Sequence, residues 1–596
     1  MNMTFIVIKT AEELRKAVDA LNAQSAIGLD TETTELDPYT GRLRLIQLAA
    51  PDGVIIIDFD AFSTGSNGED ANSESLLPLK RLLEAPRPIK IAHNAKFDAK
   101  FLKHNLGADL GGVFDSLLAS QMISAGDIEE RHGLETVAAR YLNESVDKSE
   151  RLSNWNFELS EAQLEYAARD AAVLLPLREK LIDRLKAEAL VKCAQLEFEC
   201  VMPVADIELA GFYMHKDRWL EQLSIVEKRR GELAEELQEI LAEESLQGSL
   251  FGGPQRADLN LDSHQQLTHA LERLGIPVPD STRNWKLQPL AIEYPVIATL
   301  LKYRTVQKAL TSYGQNMIEL INPATGRLHA DFRQIGAPTG RFSCTNPNIQ
   351  QVPHATEYRR CFSGHPTGRK LVIADYSQIE LRILAEFSGD RGFIEAFNSG
   401  ADLHRVTAAQ VFNVHLDQVS KDQRDFAKRL NFGVVYGIGA QRFSIMTGLS
   451  VPEAENVLRK YFATYRGLDN YLREAANRAV NERQARTASG RLVRFRYDAS
   501  DRQQISMTQR NGKNTPIQGT SADILKRALR LLKDELRDTS TRIVNIIHDE
   551  IVVEADANQA TEISHKVQHA MCAAGEEYLR TVPVKVETEI ADEWIK

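Results

Sequence analysis

The chain has 596 residues, which sets a prior of about four domains of ordinary size and leaves room for several buried cores. Its 83 acidic residues outnumber 72 basic ones, for a formal net charge of −11, and no apolar stretch approaches the roughly 20 residues that span a bilayer. Five cysteines, Cys193, Cys200, Cys344, Cys361 and Cys572, show no paired CxxC spacing, which excludes a disulfide scaffold and a zinc ribbon and favours a reducing compartment.

Met1–Ile8 lacks the basic region of a secretory signal, and Glu12 and Glu13 follow soon after, so a cytoplasmic protein is expected. Strands are predicted at Thr4–Ile8, Ala26–Asp30, Arg44–Ala49 and Val54–Asp58, an α/β pattern for residues 1–190. Ala26–Leu29 reads as a strand end leading into Asp30-Thr-Glu32. His93-Asn94 precedes Asp98, and Tyr166 and Asp170 stand one helical turn apart. Four carboxylates and a nearby hydroxyl suit two-metal phosphodiester hydrolysis, with the tyrosine orienting the attacking water. An Asp-x-Glu pair alone is common and carries little. Ser63–Ser75, rich in Ser, Gly and Asn, reads as a mobile surface loop.

From about residue 197 to 330 the pattern turns helical, with Arg229–Glu244 dense in Leu, Glu and Arg. Beyond it, Gln247-Gly-Ser-Leu-Phe251 precedes Gly252-Gly-Pro254, which keeps it off the helix and reachable. Leu250 and Phe251 can cap the core of that helix.

Three strings follow in the last 260 residues. Leu371-Val-Ile-Ala374 is short enough for a buried strand and places Asp375, in Asp375-Tyr-Ser-Gln-Ile-Glu-Leu-Arg382, at its end facing a cleft. Between Arg424 and Gly437, Arg424, Lys428, Phe432 and Tyr436 recur every four residues and share one helix face. That face offers two cations to a triphosphate and then two rings to a base. Gly433 and Gly437 sit beside the rings, where a side chain would block a flat partner or where the helix bends. Ile543–Ile547 and Ile551–Glu554 read as two β-branched strands joined at His548-Asp549-Glu550, with Asp549 at a hairpin tip. Beside each other, Asp375 and Asp549 can hold two Mg²⁺ ions about 4 Å apart, as a nucleotide addition to a primer requires. Each string alone has an ordinary reading, as a surface turn, a solvated face or a hairpin tip; their joint occurrence in this order does not.

The three strings resemble motifs A, B and C of the family A DNA polymerases, and the likeness extends over the whole chain. The N-terminal acids resemble those of the DEDDy 3′–5′ exonucleases that serve this family as proofreading domains. The resemblance implies an α/β, ribonuclease H-like exonuclease domain at 1–190. After it comes a right-hand α+β polymerase: thumb at 197–330, palm at 331–395, fingers at 396–496 and the rest of the palm at 497–596. It implies two Mg²⁺ per site, with Mn²⁺ able to substitute, bound by Asp375, Asp549 and the Tyr376 carbonyl in one and by Asp30, Glu32, Asp98 and Asp170 in the other. Glu550 is implied as an auxiliary acid and Tyr166 as the water-orienting group. Lys428, Arg424 and His404, in Asp402-Leu-His404, would meet the triphosphate, with Gln378, Phe432 and Tyr436 also at the dNTP. Glu380 would fill the space of a ribose 2′-hydroxyl, so the substrate would be dNTP.

The same resemblance places Arg341 of Thr339-Gly-Arg341, Asn346, Gln350, Arg510, Asn514, Gln518 and His548 along the primer-template, and Leu36 and Asn94 at a primer terminus in the exonuclease site. Minor-groove acceptors are present on every base pair, so such contacts check pairing without reading sequence. Phe432, where some relatives carry Tyr, implies discrimination against dideoxynucleotides. Gln247, Leu250 and Phe251 are similar to the QxxLF peptide by which bacterial proteins dock on a sliding clamp. No 5′-nuclease domain is expected ahead of the exonuclease, through natural absence or removal. A monomer in a bacterial cytoplasm with its nucleoid, or in a host cytoplasm if virus-encoded, fits these features.

The acidic total conceals a local excess. Between Arg473 and Lys513 ten Lys or Arg face four Asp or Glu, a net of plus six, which suits tracking a phosphate backbone. A free-standing exonuclease with an appended helical region leaves Asp375, the Arg424 face and Asp549 without a role. A single-subunit RNA polymerase shares the chemistry, but Glu380 argues against it, and a non-catalytic scaffold would have lost acids that are all present.

Overall fold

A computed structural model describes residues 4–62, 73–127, 129–144, 153–241, 259–278, 281–353, 355–366 and 368–595. They fall into two compact units, one of Met1–Gly211, His329–Gln350 and Gly364–Ala591 and one of Phe212–Leu328, Gln351–Ser363 and Asp592–Lys596.

In the first unit, β1 (Phe5–Ile8), β2 (Ala26–Thr33), β3 (Leu43–Ala50), β4 (Gly53–Asp58), β5 (Ile89–Ala92) and β6 (Val113–Asp115) form a sheet in the order β1-β4-β3-β2-β5-β6. β3 is antiparallel to both neighbours, while β1 with β4, β2 with β5, and β5 with β6 are parallel. Leu43, Ile46 and Leu48 pack with helices Ala11–Asn22 and Ala95–Leu106, whereas Leu45 and Ala49 pack with helix Glu161–Ala172. A strand covered on both faces loses strict polar alternation, which is why β3 is buried from Leu43 to Ala49. The predicted strands are all present, but β2 continues to Thr33, so Asp30 and Glu32 lie inside it; pairing with Gln47 and Leu45 of β3 carries it on. A Cβ on Gly28 would lie 2.3 Å from the Ala171 carbonyl oxygen, so a glycine lets helix Glu161–Ala172 settle onto β2. Ser73–Ser75, expected in a loop, open helix Ser73–Glu84.

Four antiparallel strands, in the order Arg542–Ile547, Glu550–Asp556, Arg369–Tyr376, Val586–Ala591, form a second sheet of this unit. Leu371–Ala374 are buried, as a central strand between two partners requires, and Asp375 pairs in register with Glu550. Helices Ile379–Ser388, Arg502–Glu535 and Ala560–Glu576 contribute to its core, which runs on into helices Lys421–Val435, Val451–Thr464 and Arg466–Asn481.

Helix Val201–Ala210 is apolar on two faces because two cores share it: Val201, Met202 and Ala205 pack with the first sheet, Val204 and Ile207 with the second. Glu208 at its end is buried, bonding Lys96 Nζ at 2.6 Å, Lys100 Nζ at 2.7 Å and the Phe332 amide at 2.7 Å. Glu208→Ala leaves Lys100 and the Phe332 amide without this partner, while Lys96 keeps Asp331 and the Phe332 carbonyl, so it is expected to cost about 3 kcal/mol, seen as a lower denaturant midpoint. An unchanged midpoint would refute that reading.

The second unit is built on helix Lys216–Leu241. Trp219, Leu223, Val226, Leu233, Leu237 and Leu241 are buried at three-, four- and seven-residue spacing, and the last three pack with Ile297, Leu300 and Tyr303 of helix Pro295–Tyr313. Trp219, Phe362 and Trp594 form an edge-to-face aromatic cluster, and the Arg359 guanidinium lies 4.2 Å from the centroid of the Trp594 ring.

Among the described residues no helix is long and apolar enough to cross a membrane. All five cysteines are free thiols, four of them buried.

Candidate active sites

The C-terminal acids meet where three strands end. Strand pairing sets Asp375 opposite Glu550, and the Tyr376 amide donates to the Asp549 carbonyl at 3.3 Å, closing the pair over the His548–Asp549 turn. His548 has φ +53, a left-handed turn conformation, and is exposed. Burial, then the charges of Asp375 and Glu380, push the Asp549 carboxyl up to about 7, with Arg341 offsetting only part of the repulsion. Tyr376 is buried, its hydroxyl donating to the Met571 carbonyl at 2.7 Å, so its side chain anchors the strand and its backbone faces the turn.

Beside this pair, Gln378 (φ +56) opens helix Ile379–Ser388 and carries a buried side-chain oxygen with no partner among the described residues. Glu380, in the first turn, pairs with Arg341. The Tyr436 hydroxyl joins them; its pKa is pushed up to about 12 by burial and by the Glu380 charge and hydrogen bond. The helix carrying Arg424, Lys428 and Phe432 ends at Val435, and Tyr436 caps it. Gly437 (φ +63) then turns the chain so tightly that a Cβ there would lie 3.1 Å from Arg510 Cγ. Arg424 Nε donates to Asp402 at 2.6 Å, and Lys428 is exposed. His404 is buried against Phe432, with ring centroids 5.8 Å apart, and its Nδ1 lies 3.0 Å from the Asn431 amide nitrogen. Burial holds its pKa down to about 4, so it is a neutral imidazole at pH 7.

The other residues expected along a primer-template are spread around this centre. Gln350 donates to the Ile546 carbonyl at 2.9 Å, one strand residue short of the turn. Asn514 donates to the Tyr436 carbonyl at 3.5 Å, and its own oxygen is buried without a partner among the described residues. Asn346 and Arg510 are exposed and Gln518 is half-buried. Part of the basic stretch is consumed internally: Arg491 is buried, Arg494 pairs with Glu188 at 2.8 Å and Arg496 with Asp127 at 2.7 Å.

In the N-terminal sheet, side chains alternate between faces along β2. Asp30 and Glu32 point with Gly28 toward helix Glu161–Ala172, where burial and the charges of Asp170, Glu32 and Asp30 raise the Tyr166 pKa. Thr31, between them, faces the other way and donates to Asp98 Oδ1 at 2.7 Å. Asp98 is buried, and its carboxyl is pushed up to about 7 by burial, with Asp115 adding to the effect. The structure thus gathers Asp30, Glu32, Asp170 and Tyr166, and ties Asp98 to the same strand through Thr31. Leu36 is 81 % exposed. Asn94 (φ +65) opens helix Ala95–Leu106, its amide bonded to Asp115 at 3.2 Å.

Sequence reasoning missed Asp115, which also takes the amides of Ala95, Leu117 and Leu118 and so ties the ends of two helices to β6. Its position before Ser116-Leu-Leu is an N-cap signal. Gln47, the register partner of Asp30, is buried with both amide atoms unpaired among the described residues, and nothing in the sequence points to it. Gln247, Leu250 and Phe251 lie outside the described residues.

Among the described residues no three His, Cys, Asp or Glu side chains are assembled to hold a metal ion. The donors nonetheless fit a hard divalent cation: they are carboxylates alone, and in the C-terminal set burial first and the charges of Asp375 and Glu380 second push the Asp549 carboxyl up, a cost that a bound cation would relieve.

Residues 225–596 match the family model described as DNA polymerase family A, and residues 5–186 match that described as 3′-5′ exonuclease. DNA polymerase I of Chloroflexus aurantiacus is 31 % identical over 99 % of this chain and 63 % of its own length; that of Pseudomonas aeruginosa is 31 % identical over 96 % and 64 %. The chain therefore spans just under two thirds of these relatives, whereas the Aquifex aeolicus DNA polymerase I is 30 % identical over all of both chains. The polymerase domain of Mycobacterium smegmatis Pol1, solved with a DNA primer-template and dNTP, superposes with a TM-score of 0.84 at 26 % identity, over 99 % of each chain. The chain belongs to DNA polymerase family A and carries that family's 3′–5′ exonuclease domain ahead of the polymerase fold.

Proposed function

We propose that the protein extends a DNA primer with dNTPs on a template and removes mismatched 3′ ends in a second, separate site. The observation that carries this is the meeting of Asp375, Asp549 and Glu550 at one sheet edge, with the Arg424–Lys428–Phe432 helix face in the same unit. Asp375 and Asp549, with the Tyr376 carbonyl, would hold two Mg²⁺, and Asp30, Glu32, Asp98 and Asp170 two more. Bound there, the cations supply activation of an attacking oxygen and stabilisation of phosphoryl charge.

The chain's own groups position and select. Arg424 is poised by Asp402 and Lys428 is free to reach a triphosphate, so both act as cationic clamps on the phosphates. His404, neutral and bonded to Asn431, donates or accepts a hydrogen bond there without adding charge. Phe432 and Tyr436 flank the base, and Gln378 lies at the same dNTP. Asn346, Gln350, Arg510, Asn514, Gln518, His548 and Arg341 follow the primer-template minor groove. Tyr166 orients the hydrolytic water beside Asp170, with Leu36 and Asn94 at the frayed primer end. The chain acts as a monomer in the cytoplasm, and Gln247, Leu250 and Phe251 dock it on a sliding clamp.

Extension of a labelled primer with dNTPs, and none with NTPs alone, tests the central claim; synthesis with NTPs only would reverse it. Glu380, fixed by Arg341 and Tyr436, is a rigid wall rather than a mobile side chain. Glu380→Ala is accordingly expected to raise ribonucleotide insertion relative to dNTP by about 10²-fold, since a wall that excludes a hydroxyl is worth about 2–3 kcal/mol. Unchanged sugar selectivity would remove Glu380 from that role.

A further inference from the structure

Arg491 is fully enclosed in a cluster of four charges. Its Nη2 lies 2.9 Å from Asp523 Oδ1 and 2.5 Å from Glu197 Oε1, and Lys526 Nζ pairs with the same Glu197 oxygen. Thr487 and Ser489 each donate to Asp523 Oδ2 at 2.6 Å, and Gln334 donates to Glu197 at 3.0 Å. Glu197, Asp523 and Lys526 are 0 % exposed. Burial disfavours the Glu197 carboxylate, but Lys526 and Arg491 outweigh it and hold its pKa below the usual range. Two acids and two bases balance, so the cluster is a closed neutral unit. Such a unit adds little stability that apolar packing would not supply; what it fixes is geometry.

The geometry it fixes is next to the polymerase site. A Cβ on Gly340 (φ +83) would lie 2.4 Å from Arg491 Nε, so the Thr339-Gly340-Arg341 turn rests directly on the guanidinium. From the other side, a Cβ on Gly519 would lie 3.0 Å from the Thr339 carbonyl oxygen. The turn is closed by Gly340 N–H to Ala337 O at 2.8 Å and Gly336 N–H to Arg341 O at 2.9 Å. Its last residue, Arg341, pairs with Glu380.

We infer that Arg491, locked by Asp523 and Glu197, is a positioning residue for Arg341: it sets the height of the Thr339–Arg341 turn and so the reach of the Arg341 guanidinium toward a primer end. Glu197 lies in helix Val191–Glu199, directly after the exonuclease domain, so the platform also ties that domain's exit helix to the polymerase site. The inference rests on the proposed primer-end role of Arg341.

The test is a double-mutant cycle on single-turnover dNTP addition to a matched primer. Arg491→Lys keeps the charge and loses the planar fork. It is expected to slow addition about tenfold, and Arg341→Ala is expected to add less than twofold more in that background, because a misplaced Arg341 has little left to lose. Digestion of single-stranded DNA within twofold of wild type reports that the protein is folded. If the two losses multiply, or if Arg491→Lys extends at the wild-type rate, the positioning role is wrong. Should Arg491→Lys fail to fold, Ser489→Ala, which removes a single bond to Asp523, runs the same cycle with the same criteria. A wild type that does not extend the matched primer would instead refute the polymerase reading.

Discussion

Asp549→Asn is expected to lower primer extension by at least about 10³-fold while single-stranded DNA digestion stays within twofold. The change keeps the shape of the side chain and removes one of the two carboxylates proposed to hold cations at the reacting phosphate, a contribution of about 4 kcal/mol or more to the barrier. The same substitution carries a second expectation that does not depend on turnover. Without divalent cations, burial and the charges of Asp375 and Glu380 disfavour the Asp549 carboxylate, which is why its pKa stands at about 7. Its folded pKa lies above that of the unfolded chain, so the penalty is absent at acid pH, grows as pH rises from about 4, and is complete above 7. Replacing the acid with the neutral amide relieves it. In EDTA at pH 8 the variant is therefore expected to melt higher than wild type, and added Mg²⁺ to narrow the gap by stabilising wild type alone. A variant that melts lower in EDTA would show that Asp549 is held by its own chain rather than strained for a cation.

Asp30→Ala is expected to do the reverse, abolishing digestion by about 10³-fold and leaving matched extension intact. The informative substrate is a primer-template with a single 3′ mismatch, incubated with Mg²⁺ and four dNTPs. Wild type should trim and then extend; the variant should stall at the mismatch. Asp30 lies in the middle of β2, paired with Gln47, and its side chain points toward helix Glu161–Ala172, so its loss leaves the sheet in place. If both proteins stall alike and still extend a matched primer, the N-terminal acids have no part in proofreading. Loss of both activities from either Asp30→Ala or Asp549→Asn in a folded protein would contradict two separate sites.

What was legible in the sequence was what short-range pattern encodes. Leu371–Ala374 announced a buried strand, the four-residue recurrence from Arg424 announced a helix face, and the His548–Glu550 turn announced a hairpin, and the structure has all three. What was not legible depends on partners far along the chain. The end of β2 at Thr33 is set by β3, the helix that reads Arg424 to Tyr436 stops at Val435, and Asp98 reaches its neighbours through Thr31, 67 residues away. Arg491 counted toward a DNA-facing charge in the sequence; in the fold Glu197, 294 residues earlier, neutralises it out of sight of solvent. Composition sums charge along the chain, and only packing decides which of it faces outward.

The approach of Ala171 to Gly28 bears on how an activity of this kind can be lost. Asp30, Glu32, Asp98 and Asp170 are the acids proposed for hydrolysis. Yet Gly28 carries no functional group and stands on the same face of β2 as two of them, 2.3 Å of virtual Cβ away from the helix that delivers Tyr166 and Asp170. A single methyl there would lift that helix off the strand and part Asp30 and Glu32 from Tyr166 and Asp170 with all four residues unchanged in the sequence. A lineage can therefore become a mutator through a glycine, and a chain with an intact acid set is certified as a proofreader only once the residue beneath the helix has been read as well.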